Sequence, residues 1–218
     1  MNYQFNWGIV LEYRSLLVDG LLVTLQLAAL SFLASILLGL TTAIGRSFMP
    51  TYVSTAFTVY VEVFRNIPPI VQFFFWSFAV GLNVFPASLV ALSVFTSTYI
   101  GEIIRSGIAS IPKTQAEAAR SSGMPEFYVI FYVILPQAVI RVIPPLSVEF
   151  ITLIKNSSIA MTIGLTELTF QTQEIEARSF RGFEAATTVT IMYVLLALVV
   201  VLVMHLFEHL VRLDIRKG

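Results

Sequence analysis

The sequence contains no cysteine among its 218 residues. Neither a disulfide framework nor a thiolate metal site is available to it, which excludes those chemistries without fixing the redox compartment. It also contains no Gly-x-x-x-x-Gly-Lys-Ser/Thr phosphate-binding loop, because Lys113 and Thr114 follow a proline and lack the glycines. We therefore expect that this chain is not an enzyme and binds no cofactor itself.

Charged residues are scarce, and the apolar residues form long runs. Only 12% of the residues are charged while 57% are hydrophobic, a balance typical of membrane proteins, because a soluble fold cannot hide so much apolar surface. Residues 21–44 and 185–207 reach the roughly 20 apolar residues that a helix needs to cross a bilayer core of about 30 Å. The N-terminus has neither a basic stretch nor a small-residue cleavage site, so we expect no removable signal peptide.

Hydropathy predicts an all-α, polytopic membrane protein with five transmembrane helices. The predicted helices cover residues 17–44, 52–81, 84–108, 136–164 and 184–210. Proline pairs, Pro68–Pro69 and Pro144–Pro145, interrupt the second and the fourth. No repeat at a fixed period is present. Residues 1–218 are therefore predicted to form a single domain with a membrane core at about 17–210.

The basic residues are unevenly distributed between the two sets of loops. Placing the loops near Arg46, Lys113 and the C-terminus on one side gives that side most of the positive charge. Its basic residues are Arg46, Arg105, Lys113, Arg120, Arg212, Arg216 and Lys217, and those of the other side are Arg14, Arg178 and Arg181. Because the richer side is normally cytoplasmic, we expect an external N-terminus and a cytoplasmic C-terminus.

The segment between the third and fourth predicted helices, about residues 109–135, is too polar at its start to cross a membrane. Thr114 and Gln115 can open a short helix, and Gly123 followed by Pro125 predicts the end of that helix and the start of another. A helix, a sharp turn and a second helix are therefore expected at the inner membrane surface. The segment contains a spaced pattern formed by Glu117, Ala118, Ala119, Gly123, Val133, Leu135 and Pro136.

This pattern resembles the hallmark loop of the integral-membrane subunits of ABC importers. That loop reads Glu-Ala-Ala, three residues, Gly, nine residues, an aliphatic residue, one residue, and Leu-Pro. The single departure is Val133, where isoleucine is usual. Segments 60–74, 102–115 and 148–165 narrow the resemblance to the polar amino acid permeases, of the histidine, glutamine and glutamate-aspartate type, over nearly the whole chain.

The resemblance implies a type I ABC importer permease fold in a bacterial inner membrane, with a periplasmic N-terminus. It implies two ATPase subunits that hold ATP and magnesium, a second permease subunit that is identical or a sister, and a soluble amino-acid-binding protein. Amino acid substrate and membrane lipid are the other expected partners, and nucleic acid is not. The residues implied to couple this chain to the ATPases are Glu117, Ala118, Ala119 and Gly123, where small side chains allow close approach.

Four ionisable residues within the predicted spans are the functional candidates: Glu62, Arg65, Glu149 and Lys155. A charge at the bilayer centre costs about 3 kcal/mol or more unless it is paired or lines a polar cavity. Glu62 and Arg65 are three residues apart on one helix and can satisfy one another, which leaves a purely structural role open for that pair. At about 1.5 Å per residue, Arg65, Glu149 and Lys155 lie at comparable depths and are predicted to share one chamber.

A free amino acid carries an α-ammonium and an α-carboxylate, so its site needs an anion, a cation and short polar groups. The candidate pathway residues are Arg65, Asn66, Glu149, Lys155, Ser157, Ser158 and Glu62. We expect Glu149 to receive the ammonium group and Arg65 or Lys155 to hold the carboxylate. Glu149 and Lys155 are six residues apart, or about 240° around an ideal helix, so they point the same way only on an irregular backbone. Pro144–Pro145 and the polar run Lys155-Asn156-Ser157-Ser158 predict that irregularity. The second basic residue slightly favours glutamate or aspartate as substrate, while a basic amino acid stays open.

Two alternatives belong to other functional classes. A passive pore would also carry intramembrane charges, but it would have no use for a coupling loop. The sequence His205-x-x-Glu208-His209 places two imidazoles on one helical face beside a carboxylate, as inverted zincin-type metalloproteases require. No third ligand is evident, and the motif falls at the inner end of the last span, so we predict no metal site.

Overall fold

The computed structural model describes the backbone of residues 4–217 and the side chains of residues 4–210. Residues 1–3 and 218 lie outside the described part of the chain, as do the side chains of Arg212, Arg216 and Lys217, which the charge distribution assigns to the cytoplasmic side. Every regular element within the described range is helical. The all-α prediction is confirmed.

The helices follow one another with short connections. The α-helices of the described range are α1 (Gly8–Glu12), α2 (Arg14–Phe48), α3 (Thr51–Asn66), α4 (Pro69–Phe74), α5 (Val84–Ala109), α6 (Lys113–Ser121), α7 (Glu126–Tyr128), α8 (Leu135–Ser157), α9 (Leu168–Ser179) and α10 (Gly182–Lys217). A π-helical segment, Phe75–Ala79, extends α4, and another, Val129–Ile134, joins α7 to α8. A 3-10 segment, Ser158–Ile163, extends α8.

By length and composition, four helical stretches among the described residues can cross a membrane: Arg14–Phe48, Val84–Ala109, Glu126–Ile163 and Gly182–Leu210. The remaining predicted span, 52–81, is divided. It consists of α3 and the shorter apolar helix Pro69–Ala79, separated by Ile67 and Pro68 in extended conformation. The five predicted spans are thus present as four continuous helical stretches and one broken helix.

The two proline pairs behave differently. Pro68–Pro69 breaks its span as predicted, whereas the predicted break at Pro144–Pro145 is wrong, because both residues lie inside the continuous helix α8. Proline has a φ compatible with a helix, and membrane helices tolerate it where neighbouring groups satisfy the freed carbonyls. The irregular backbone comes later, in the 3-10 segment that ends at Gly164 with φ of 89°.

Helices α2 and α5 form the central pair and approach closely through small residues. The Ser35 hydroxyl of α2 donates to the backbone oxygen of Ser93 on α5 at 3.1 Å. A Cβ atom added at Gly101 of α5 would lie 2.2 Å from Oγ1 of Thr42 on α2. Such a separation between backbones requires glycine at this crossing, as is typical of helix pairs in membranes.

The interior sits where α2, α4 and α5 meet the 3-10 segment. A cluster there includes Leu27, Phe73 and Leu92, each with no exposed surface. In contrast, large apolar side chains stay exposed along α2 and α10, for example Leu37 and Leu198 at 68% and 59%. Exposed apolar stripes of this length are expected for helices whose outer faces meet lipid.

Candidate functional site

A cavity of about 390 Å³ lies between α3, α5 and α8. Its lining includes four ionisable side chains, two of each charge sign: Arg65, Glu102, Arg141 and Glu149. The other lining residues are Tyr99, Ile103, Ser106, Gly107, Ser110 and Pro145. The volume falls in the range of about 300–1,000 Å³ that small-molecule sites occupy.

Arg65 lies near the end of α3, where the second predicted span is broken and Gln72 stabilises the break. The side-chain amide of Gln72 donates to the backbone oxygens of Phe64 at 2.8 Å and Ile67 at 3.1 Å, so it satisfies carbonyls that the end of α3 leaves free. Gln72 is 3% exposed, and the sequence analysis did not identify it. Its local signal was a lone polar residue in an apolar run, three positions after Pro69.

The Arg65 guanidinium turns toward α5. Its Nη2 donates to the backbone oxygen of Thr98 at 3.1 Å, and its Cζ lies 4.7 Å from the centre of the Tyr99 ring. Its Nε is buried and has no hydrogen-bond partner among the described residues. The described ion pairs do not include one between Arg65 and Glu62, so the structural pairing of those two residues is not observed. Because only Nη2 of the two terminal nitrogens has a partner among the described residues, Nη1 of Arg65 keeps donor capacity for a ligand.

Glu149 reaches the same cavity from α8 and is half-buried. Its carboxylate forms no hydrogen bond or ion pair with the residues that the structure describes, although the positive charge of Arg65 acts on it. A carboxylate and a guanidinium, attracted to one another but not bonded, thus lie in one partly enclosed space. This arrangement agrees with the predicted meeting of Arg65 and Glu149.

The other two charged residues of the cavity already have partners. Glu102 binds Arg46 of α2 at 2.8 Å and also pairs with Arg105 one turn away on α5. Arg141 donates to the backbone oxygen of Ser110 at 2.7 Å. The sequence analysis assigned Arg46 and Arg105 to the cytoplasmic flank and did not identify Glu102, although its spacing from Arg105 is that of a helical ion pair.

The remaining predicted pathway residues lie elsewhere. Glu62 and Asn66 are exposed on α3, and the Asn66 amide donates to the Glu62 backbone oxygen at 2.7 Å. Ser157 is fully buried and donates to the backbone oxygen of Ile154. Lys155 and Ser158 line a different cavity of about 480 Å³. The structure therefore brings Arg65 and Glu149 together and separates Lys155 from them.

The segment of about residues 109–135, which contains the spaced pattern that begins at Glu117, forms the predicted helix, turn and second helix. Helix α6 ends in a Schellman motif, in which the Gly123 N–H donates to the Arg120 oxygen at 2.9 Å and the Met124 N–H to the Ala119 oxygen at 3.2 Å. Gly123 has φ of +81°. Arg120 and Glu126 bridge the turn with two hydrogen bonds, at 2.7 and 2.6 Å.

The residues predicted to couple to the ATPases lie on the accessible side of α6. Glu117, Ala118 and Gly123 are exposed and Ala119 is half-buried, while Ala116 turns inward with 8% exposure. The polar and small side chains of α6 therefore face outward, where another protein can reach them.

The His205-x-x-Glu208-His209 motif lies near the end of α10, and both imidazoles are exposed. Within the described part of the chain, no group of three or more His, Asp or Glu side chains is placed to hold a metal ion. A metalloprotease is not favoured.

Residues 35–213 match the family described as binding-protein-dependent transport system inner membrane component. The chain is 33% identical over 244 residues to the glutamate/aspartate import permease protein GltJ of Escherichia coli (strain K12), covering 100% of this chain and 99% of that protein. It is 33% identical over 213 residues to the glutamine transport system permease protein GlnP of the same strain, covering 94% and 97%.

Solved structures show the same likeness. An amino acid ABC transporter with histidines superposes with a TM-score of 0.88 at 32% identity, covering 95% of this chain and 99% of that one. The MetNI methionine ABC transporter in inward-facing conformations has a TM-score of 0.78 at 21% identity, covering 92% and 98%, and shows likeness of fold alone.

These relatives are bacterial transport permeases, so a multi-pass protein of the inner membrane is supported and a passive pore is not favoured. The predicted resemblance is confirmed. The chain belongs to the family of binding-protein-dependent transport system inner membrane components, among the amino acid permeases of ABC importers.

Proposed function

We propose that this chain and a second permease subunit form the pathway of an ATP-driven amino acid importer, and that the cavity of Arg65 and Glu149 is a substrate station on it. The observation that carries the proposal is this pair of opposite charges, each without an ion-pair partner among the described residues, in one cavity. Charges at membrane depth are expensive, and such residues commonly mark a substrate path. A zwitterionic amino acid offers each of them a partner.

The geometry suggests a role for each group. The Arg65 guanidinium rests against Tyr99, and of its two terminal nitrogens only Nη2 has a hydrogen-bond partner among the described residues, so Nη1 can donate a charge-assisted hydrogen bond to the α-carboxylate. The Glu149 carboxylate, with all its acceptor capacity available, binds the α-ammonium. Neither group has to break a bond with the other before substrate binds.

Arg141 favours an acidic side chain on the substrate. It is the second cation of the lining, and its contacts with Ser110 use only part of the five donors of a guanidinium. Glu102 adds little negative charge, because Arg46 and Arg105 already neutralise it. Glutamate or aspartate is therefore the proposed substrate, and one of the relatives is named for import of these two amino acids.

Coupling to ATP is proposed to occur at α6. Two ATPase subunits, which hold ATP and magnesium, dock against the exposed face that contains Glu117, Ala118 and Gly123. A shift of α6 reaches α8 through the π segment Val129–Ile134, against which α6 packs. Glu149 lies 14 residues beyond Leu135, or about 21 Å along α8. The helix that receives the movement is thus the helix that carries the substrate carboxylate.

The proposed coupling at α6 also implies an orientation of the chain in the membrane. If α6 faces the cytoplasm, the far end of α8 and the helix α9 face the periplasm, where a soluble binding protein delivers the amino acid. The N-terminus is then periplasmic and the C-terminus cytoplasmic, in agreement with the distribution of basic residues. Alternating access of the cavity to the two sides completes the cycle.

The test is uptake of radiolabelled L-glutamate into liposomes that contain this chain, its ATPase and permease partners and the matching binding protein, with ATP inside. Arg65→Gln and Glu149→Gln should each abolish uptake while the complex still assembles. Glu62→Gln is the matched control, because Glu62 is exposed on α3 and does not line the cavity. Uptake that continues without ATP, or that survives both cavity substitutions, would contradict the proposal.

A further inference from the structure

A second cavity, of about 480 Å³, lies between the end of α8, α9 and α10. It is lined by Lys155, Ser158, Met161, Thr169, Thr172, Gln173, Ala186, Val189, Thr190 and Tyr193. Lys155 lies 20 residues beyond Leu135, or about 30 Å along α8, so this cavity is at the opposite end of that helix from the coupling helix α6. The proposed function makes it the outer end. We call it the outer cavity.

The charge that lines the outer cavity is positive and comes from Lys155. Lys155 is the single ionisable amine of its lining, and the lining contains no aspartate or glutamate. The described residues provide no ion pair and no hydrogen bond for the Lys155 ammonium. The cavity of Arg65 and Glu149 contains charges of both signs and is therefore chemically distinct.

Glu167, a carboxylate beside the outer cavity, already has hydrogen-bond partners. Glu167 is fully buried, and its oxygens accept from the backbone N–H groups of Thr169 and Phe170 at 2.9 Å and from the Tyr193 hydroxyl at 2.8 Å. It caps the N-terminus of α9 and does not line the cavity. Lys155 thus faces a space in which protein anions are lacking.

Neutral hydrogen-bond donors surround that space. The lining offers the hydroxyls of Thr172 and Thr190 and the side-chain amide of Gln173, while the Ser158 hydroxyl already donates to the backbone oxygen of Lys155 at 2.7 Å. The Thr169 and Tyr193 hydroxyls lie 3.0 Å apart, and because Tyr193 donates its proton to Glu167, Thr169 donates to Tyr193 and neither hydroxyl is left as a donor for a ligand. A cation ringed by hydroxyl and amide donors is suited to an anionic oxygen group such as a carboxylate or a phosphate.

The separation of the two cavities follows from helix geometry. Lys155 is six residues beyond Glu149, which is about 240° around α8, so the two side chains leave the helix on different faces. Because α8 is continuous through both positions, the two faces are held in a fixed relation. Helix α8 therefore presents the Glu149 carboxylate to the cavity of Arg65 and Glu149, and the Lys155 ammonium to the outer cavity.

We propose that the outer cavity is a separate binding site for an anionic oxygen group, and that its ligand is the carboxylate of a free amino acid on the periplasmic side. Its role as an entry station rests on the proposed function, whereas the binding itself does not. Lys155 supplies the charge, and Thr190, Thr172 and Gln173 supply hydrogen bonds. The phosphate of an acidic phospholipid has the same chemistry and is the competing source.

The test is ligand protection of Lys155 from acetylation, measured by mass spectrometry on the full chain in phosphatidylcholine nanodiscs. The sequence contains three lysines, and Lys113 on α6 serves as the internal control. Addition of L-glutamate should slow acetylation of Lys155 saturably, by about tenfold at ten times its Kd, without changing the rate at Lys113. Thr190→Val should weaken this protection by about tenfold in Kd, because a hydrogen bond to a charged group is lost, whereas Thr187→Val, outside the lining, should not.

Three results would overturn the proposal. The first is an acetylation rate at Lys155 that L-glutamate leaves unchanged. The second is equal slowing of acetylation at Lys113. The third is equal protection of Lys155 in the Thr190→Val and parent proteins. If nanodiscs with phosphatidylglycerol protect Lys155 and L-glutamate adds nothing, the ligand is a lipid phosphate and the amino acid assignment is wrong. Glu149→Gln separates this inference from the proposed function, because protection of Lys155 should persist in that variant even though uptake is lost.

Discussion

Replacing Gly123 by alanine should loosen the turn that ends α6. Gly123 has φ of +81°, and a Cβ atom built there meets no atom within 4 Å. Steric contact with neighbours is therefore not the cause of any effect, and the whole cost is that of a left-handed backbone, about 1–2 kcal/mol for a residue with a Cβ atom. The open turn should become about 5- to 30-fold more populated relative to the closed one.

Hydrogen exchange at single amides measures this change directly. The N–H groups of Gly123 and Met124 form the two bonds of the Schellman motif, so the amides of residues 123 and 124 should exchange faster in Gly123→Ala. Amides in the middle of α5 should keep their rates. ATP-dependent uptake should fall in the same variant, because a loosened α6 transmits less of the movement of the ATPases.

Gly123→Asn is the matched control, because asparagine adopts the left-handed conformation at lower cost than alanine. We expect its exchange rates and uptake to lie between those of the parent and of Gly123→Ala. Exchange at residues 123 and 124 that is unchanged in Gly123→Ala would refute the reasoning. So would an asparagine variant as impaired as the alanine one, because the backbone conformation would then not be the cause.

Three further predictions concern stability. Gly101→Ala should lower the free energy of unfolding by about 1–3 kcal/mol, since its Cβ would overlap Thr42 Oγ1; thermal unfolding in detergent measures the loss, and an unchanged midpoint would contradict the prediction. Gln72→Met should cost about 1–3 kcal/mol by leaving buried carbonyls unsatisfied, and a loss equal to that of an exposed substitution would contradict this. Burial raises the pKa of the Glu167 carboxyl, so the folded protein holds that proton more tightly than the unfolded chain, and stability should fall as pH rises from the ordinary carboxyl pKa through the raised one. Glu167→Gln should remove that slope from a series of unfolding midpoints, and a slope that persists in this variant would have another source.

The membrane-spanning helices were largely predictable, because the hydropathy of a segment follows directly from its residues. Long apolar runs require helices in a bilayer, and four of the predicted spans are continuous helical stretches. The proline pairs show where composition is insufficient. Pro68–Pro69 breaks its helix, and Gln72 satisfies the carbonyls that the break leaves free, whereas Pro144–Pro145 lies within the continuous helix α8.

The candidate site was predictable only in part. Arg65 and Glu149 meet because both are charged residues at similar depth on helices that pack around α5. Lys155 does not join them, because α8 is a continuous helix through Ser157 and the irregular backbone that would turn Lys155 toward Glu149 begins only at Ser158. Glu102 required tertiary information, because only the packing of α2 against α5 brings Arg46 to it.

The most direct test of the central claim is the accessibility of a single thiol in the cavity. The chain contains no cysteine, so Ser106→Cys, in the cavity lining, introduces a unique one, and Ser122→Cys on the exposed turn after α6 is the control. In the reconstituted importer, L-glutamate should slow modification of the cavity thiol by a membrane-impermeant methanethiosulfonate, and the side from which the reagent reaches it should change with the nucleotide state of the ATPases. The control thiol should react only from the cytoplasmic side in every state. A cavity thiol that reacts at the same rate from the same side, with or without amino acid and ATP, would contradict the account.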